Sequence, residues 1–311
     1  MWITHKYITS VFIKFAKNFY IMEFPIIKKT NKLERIFVLA ALIVIGLILG
    51  TLIGVAYPLI TGCNPTDLNS LRFIQICSQI FTFILPPIIY SMLINNRPFK
   101  SLGFNKTTLL WIFIGVAMTY TIMPLNSIIG EWNANIKLPE SMSGLEEWMK
   151  TMQEAATEMI ERLVYVDNIG GLIINLFMIA GLAAFGEELL FRSIIQTSLI
   201  KLCKNAHIGI FIASAIFSFI HLEFYGFFPR LIIGLLLGYM YYYSRSIWIP
   251  MAMHFANNGT IVFLYYLNSI GAVNIDVEGF GKTGIVITLL SVVATIALFW
   301  FAIKNNKKIK S

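Results

Sequence analysis

Charge is scarce in this chain. Of its 311 residues only 13% are Asp, Glu, Lys or Arg, about half the 25% or so of an ordinary soluble domain. Cysteine is scarcer still. Cys63, Cys77 and Cys203 are the only three, too few and too scattered for a disulfide framework or a thiolate metal cluster. Acidic residues are the minority among the charges, 16 against 24 basic ones, for a net charge of +8. In so apolar a chain that excess belongs to membrane-flanking loops rather than to a nucleic-acid-binding surface. A disordered tether is excluded by the same composition, since disorder needs low hydrophobicity and high net charge. What the chain has in abundance is hydrophobic residues, 57% of the total, at a mean hydropathy of +0.74. They fall in long runs. The composition gives an all-α, polytopic membrane protein.

A bilayer-crossing helix needs about 20 mainly apolar residues. Runs that meet or approach this length cover 36–60, 73–94, 109–129, 171–202, 208–222, 231–243, 247–267 and 285–303. About eight transmembrane helices put both termini on one side. Basic residues say which side. Lys6, Lys14, Lys17, Lys28, Lys29, Lys32 and Arg35 precede the first run. Arg97, Lys100 and Lys106, then Lys201 and Lys204, then Arg245, then Lys304, Lys307, Lys308 and Lys310 follow in every second loop and the tail. The alternate loops hold acids, from Glu131 to Asp167 and then Asp276 and Glu278. Both termini are therefore expected in the cytoplasm. The chain divides into a basic N-terminal interfacial segment (1–35), a single transmembrane domain (36–303) with its motif-bearing core at 171–268, and a basic cytoplasmic tail (304–311).

Two segments read as lying on the membrane. Ser143 and Glu146 have capping-box spacing. Beyond them Leu145, Trp148, Met149, Met152, Met159, Ile160 and Leu163 recur at helical spacing, with Glu147, Glu154, Glu158 and Glu161 opposite. That pattern is an amphipathic helix on the external face. Near the start, Ile3, Tyr7, Val11, Phe15 and Phe19 share a face among lysines, and Met22 offers an alternative start. Gly46, Gly50 and Gly54, and later Gly234 and Gly238, repeat every four residues, a spacing that lets helix backbones approach closely. Pro86-Pro87 is expected to kink the second run.

The informative residues are the ionisable ones inside the apolar runs. Placing a charge at mid-bilayer costs about 2.5–3.5 kcal/mol even on the lenient insertion scale. Yet Glu187, Glu188 and Arg192 fall in the fourth run, His221 ends the fifth, and His254 and Asn258 sit in the seventh. Only four histidines exist, and two are here. If the chain turns near Lys204, Glu187 lies as far before the turn as His221 lies after it, so an antiparallel pair sets them at one depth. Glu188 and Arg192, at i and i+4, can pair. That leaves Glu187 free to act as general base on a water, held by His221 or by a metal bound to His221 and His254. Asn258 can donate to the oxyanion formed when that water attacks a peptide carbonyl. The set differs from H-E-x-x-H because its members converge from separate helices, and the sequence leaves zinc open. A divalent ion would take Glu187, His221 and His254 as ligands at about 2.0–2.2 Å. A base that is also a ligand has little freedom to take a proton, which favours Glu187 and His221 activating the water, with His254 and Asn258 on the oxyanion. A transporter or a bacteriocin immunity protein could use the same buried cluster, but no internal repeat of transporter type is visible.

The series E-E-x-x-x-R, F-x-x-x-H and H-x-x-x-N, between about Gly181 and Asn258, resembles that of the CAAX protease and bacteriocin-processing (Abi) family. That family includes the type II CAAX prenyl endopeptidases. The resemblance implies an intramembrane endopeptidase with Glu187, His221, His254 and Asn258 as the catalytic set and Glu188 and Arg192 as a supporting pair. It further implies a membrane-protein, lipidated or leader-peptide substrate and a place in a bacterial cell (inner) membrane, with no nucleic-acid partner. Zinc, as a possible cofactor, would be held by Glu187, His221 and His254.

Overall fold

The computed structural model describes residues 30–277 and 279–309, with side chains up to Lys304. The expected interfacial helix around Tyr7 to Phe19 lies outside the described residues. Among the described residues nine main helices follow one another: α1 (Lys32–Thr61), α2 (Leu68–Ile94), α3 (Leu109–Ala134), α4 (Ser143–Val164), α5 (Ile169–Cys203), α6 (Ala206–Phe219), α7 (Phe227–Ser244), α8 (Trp248–Ser269) and α9 (Ile285–Ile309). No strand occurs among the described residues.

Among the described residues six helices are long and apolar enough to cross a membrane, namely α1, α2, α3, α5, α9 and α7 counted with the turn before it (Phe224–Ser244). The two other expected spans fall short for different reasons. α6 has 14 residues, because the chain breaks at His221. α8 has the length, 22 residues, but His254, Asn257, Asn258 and Asn268 dilute its apolarity. Exposure shows how the molecule meets its surroundings. Leu59 (77%) and Ile60 (83%) are open while Glu188 and Arg192 are fully enclosed (0%). Such an arrangement suits lipid outside and polar groups within the bundle, and the chain is a multi-pass integral membrane protein.

Helix ends gather on two faces. On one, the backbone N–H of Ile247 donates to Gly103, Asn105 Nδ2 donates to the Arg245 carbonyl, and Ser193 Oγ donates to Leu102. These bonds join the α2–α3 loop, the later part of α5 and the α7–α8 turn. On the other, Asn133 at the end of α3 donates to the Phe224 carbonyl and accepts from Phe228 N–H. Trp148 of α4 lies 5.4 Å from the Phe224 ring, and Lys282 reaches Glu131 at 3.2 Å.

α4 is amphipathic, as its spacing requires, but its start differs from the expectation. Ser143 is the first helical residue and makes no cap; the residue before it, Met142, is the N-cap. Glu146 instead accepts from Leu138 N–H and pairs with Lys150 at 2.7 Å. The hydrogen bond from Lys150 holds the Glu146 carboxyl below its usual range. A true capping box occurs at α1, where Asn31 and Glu34 satisfy each other's backbone N–H.

The glycine stripe of α1 lets it seat on α2. A side chain at Gly46 would collide with the Phe81 carbonyl, and one at Gly50 would come within 3.1 Å of Phe81 Cβ. Phe81 belongs to a π-helical turn, Gln79–Ile84, just ahead of Pro86-Pro87. Neither proline can donate to the carbonyl four residues back. The helix widens there, and Leu85 N–H bonds to Ile80, five residues earlier.

Candidate active site

α5 carries the site on a short α-helical stretch, Ala183–Glu188, set between two π-helical turns, Leu176–Leu182 and Leu189–Gln196. Such turns are rare and concentrate at functional positions, because each rotates the faces of the helix. Neighbouring residues on a helix diverge by about 100°, so Glu187 and Glu188 are both buried only because α5 has partners on several sides. Gly186 provides one of these approaches. A Cβ there would sit 2.9 Å from both Phe83 Cβ and Ile84 Cγ1, in the π-helical turn of α2. The close seat brings Gln79 to the site, with its Nε2 3.4 Å from Glu187 Oε1.

The charged core is a chain of contacts. Arg192 Nε donates to Glu188 Oε2 at 2.8 Å, and both side chains are fully enclosed. Glu188 Oε1 faces His254 Nδ1 at 2.9 Å. A carboxylate only accepts, so Nδ1 carries the proton and the ring presents Nε2 to the far side. There Glu187 Oε2 stands 3.9 Å away, too far for a direct hydrogen bond. Arg192 also stacks over Phe217 at 5.0 Å, while its Nη1 and Nη2 have no hydrogen-bond partner among the described residues. Glu188 and Phe217 thus carry the burden of keeping that cation inside.

Phe217 is also the link to His221. Its ring lies 5.1 Å from the His221 ring and 6.0 Å from the His254 ring, nearly perpendicular to the latter. His221 Nδ1 is 2.8 Å from the Phe217 carbonyl. The carbonyl accepts, so Nδ1 is the protonated nitrogen and Nε2 is the free one. His221 lies two residues beyond the end of α6, where the chain turns toward α7. Just beyond, Glu223 and Arg230 form a pair at 2.7 Å.

Glu187, Glu188, Arg192 and His254 therefore come together, with His221 joined through Phe217. Asn258 is placed differently from its expected role. Its Nδ2 donates to the Ile179 carbonyl in the first π-helical turn of α5, at 3.2 Å, and its Oδ1 accepts from Asn257. It ties α8 to α5. Sequence reasoning missed Gln79 and the contact of Glu188 with His254. Gln79 does stand out in the sequence as a polar residue inside an apolar run.

Glu187 and His254 supply two donors facing one point, as a zinc site would need. No three His, Cys, Asp or Glu side chains gather as a metal-holding group among the described residues. With that spacing the residues do not form a closed set for the ion. Beside the pair, a groove of about 600 Å³ runs between α5, α8 and the start of α3, lined by Ala184, Phe185, Met251 and Phe255. Ala184 is one turn from Glu188, and Met251 is three residues from His254.

Residues 169–260 match the family model described as type II CAAX prenyl endopeptidase Rce1-like. That segment holds all seven specified residues of the motif series, so the Abi-family resemblance is shown over it. The uncharacterized protein YpbD of Bacillus subtilis (strain 168) is 37% identical over 78 residues, 24% of this chain and 36% of that protein. The chain spans about a third of that relative's length. No solved structure matches.

Proposed function

We propose, from the Rce1-like segment and the buried set it carries, that this protein is an intramembrane endopeptidase. The observation that supports it most is Glu187 facing His254 Nε2 at 3.9 Å, with Glu188 behind the ring at 2.9 Å. That gap suits one bridging water better than a direct contact.

In this reading Glu187 takes a proton from the water, and the hydroxide oxygen bonds to the carbonyl carbon of the scissile peptide. His221, with Nε2 free to accept, orients the second hydrogen. The oxyanion that forms needs donors. Two carboxylates face one guanidinium in this core, and a protonated His254 balances the charge while directing Nε2–H at the reacting centre. The second N–H of Asn258, not used by Ile179, adds to it. The carbon–nitrogen bond then breaks as Glu187 returns its proton to the leaving amine. Arg192 and Glu188 do not touch substrate; they hold His254 in place.

The substrate is a membrane-anchored protein or a lipidated or leader-type peptide whose apolar part lies in the groove beside α5 and α8 and whose scissile bond reaches Glu187. The charge alternation and the grouping of helix ends support a reading of eight crossings with both termini in the cytoplasm; a bacterial cell membrane rests on the family resemblance alone. Cleavage is tested with the full chain reconstituted in liposomes and a library of membrane-anchored peptides. Product peptides detected by mass spectrometry, and absent with Glu187→Gln, support the proposal. Equal cleavage by both proteins refutes it.

A further inference from the structure

The face that holds the basic loops contains a second cavity, of about 470 Å³, away from Glu187. It lies between the ends of α5 and α7 and the loop 100–105, with Lys100, Lys201 and Arg245 in its wall. All three are exposed, and none has a carboxylate partner among the described residues. Three cations around one hollow favour an anion.

The walls are fixed before any ligand arrives. Asn105 Nδ2 bonds to the Arg245 carbonyl at 2.6 Å, Ile247 N–H to Gly103 at 2.9 Å, and Ser193 Oγ to Leu102 at 2.6 Å. Arg245 itself closes α7 with a left-handed backbone, φ 57°. Glycine is the usual residue in that conformation, so the chain keeps a strained cation where a small residue would be easier.

Gln196 adds a second, uncharged requirement. It lines the cavity and is fully enclosed, 0% exposed. Its Nε2 donates to the Gly238 carbonyl at 3.0 Å, but its Oε1 has no partner among the described residues. A buried amide oxygen calls for a donor. The ligand should therefore combine a negative charge with a hydroxyl. Tyr241, Tyr242 and Tyr243, at the end of α7, mark the level where aromatic side chains meet lipid headgroups. Basic pockets between helices at this level suit anionic headgroups.

We propose that this cavity binds the headgroup of an anionic phosphoglycerol lipid, with the phosphodiester among Lys100, Lys201 and Arg245 and a glycerol hydroxyl donating to Gln196 Oε1. The site is separate from Glu187, and the proposal does not depend on the peptidase reading.

The test uses the full chain purified in neutral detergent and titrated by native mass spectrometry. The probes are phosphatidylglycerol, phosphatidylcholine and inorganic phosphate. Wild type should bind phosphatidylglycerol at least tenfold more tightly than phosphatidylcholine, and inorganic phosphate should not displace it. A basic residue near an anionic surface contributes about fivefold in affinity. The triple variant Lys100→Ala, Lys201→Ala, Arg245→Ala should thus bind phosphatidylglycerol about 100-fold more weakly. Lys304→Ala is the control, because Lys304 sits over Trp300 at 4.6 Å on α9, outside the cavity; it should bind as wild type does. A second measurement needs no variant. Phosphatidylglycerol should protect Lys100 and Lys201, but not Lys304, from acylation by an amine reagent. Equal affinity for the two lipids, an equal loss with Lys304→Ala, or no selective protection would overturn the proposal. Displacement by inorganic phosphate would overturn the lipid headgroup in favour of a free anion.

Discussion

Glu187 and Glu188 are neighbours with opposite surroundings, and their substitutions should separate. Glu187 has Gln79 on one oxygen, at 3.4 Å, and open geometry toward His254 on the other. Glu187→Gln keeps the shape and removes the base, so turnover should fall at least about 100-fold while thermal unfolding in detergent stays within a few degrees. Unchanged turnover would sink the base assignment. Glu188 is committed on both oxygens, to Arg192 at 2.8 Å and His254 at 2.9 Å. Glu188→Ala leaves a fully enclosed guanidinium whose Nη atoms already lack partners. Removing one partner of such a pair costs about 3–5 kcal/mol, so this variant should unfold at a clearly lower temperature than Glu187→Gln. Because Glu188 also holds the proton-bearing Nδ1 of His254, Glu188→Gln should lose activity as well, even where it still folds. A Glu188→Gln protein with full turnover would show that the contact does not orient the ring.

At the scale of elements, the site depends on α2 meeting α5. Gly186 allows that approach, since a Cβ there would stand 2.9 Å from Phe83 and Ile84. Gly186→Val should push the π-helical turn of α2 outward, at a stability cost of about 1–3 kcal/mol for overpacking, and move Gln79 off Glu187. Gly144→Val on α4 is the comparison, because nothing lies within 4 Å of its Cβ position. Thermal unfolding and cleavage should both suffer at Gly186 and neither at Gly144; equal behaviour would mean that the approach is not what places the carboxylate. The helices themselves were legible as apolar runs, and the Glu188–Arg192 pair as an i, i+4 spacing, because both depend on short-range periodicity. The π-helical turns were not. Pro86-Pro87 announced a disturbance in α2 but not that it takes the form of a wider turn beginning at Gln79. In α5 no proline or glycine marks Leu189–Gln196, which packs against α2 and α6. His254 on Glu188 was hidden for the same reason: 66 residues separate them, and periodicity within one helix carries no information about a partner on another.

For the whole molecule, the charge alternation and the grouping of helix ends make a common claim about sidedness that the three cysteines can check. Cys63 is exposed in the turn after α1, Cys203 is partly exposed at the end of α5, and Cys77 is buried within α2. The loop of Cys63 carries Asp67 and no basic residue, whereas Cys203 stands between Lys201 and Lys204. Lysine and arginine near helix ends stay on the cytoplasmic side, so the proposed orientation puts Cys63 outside and Cys203 inside. On intact cells a membrane-impermeant maleimide should label Cys63 and spare Cys203. Permeabilising the cells should add Cys203, and only denaturation should add Cys77. Single-cysteine variants made by Cys→Ser at the other two positions assign each signal. Labelling of Cys203 but not Cys63 on intact cells would invert the protein, placing the basic face and its cavity outside. Labelling of both would break the assignment of an odd number of crossings between them.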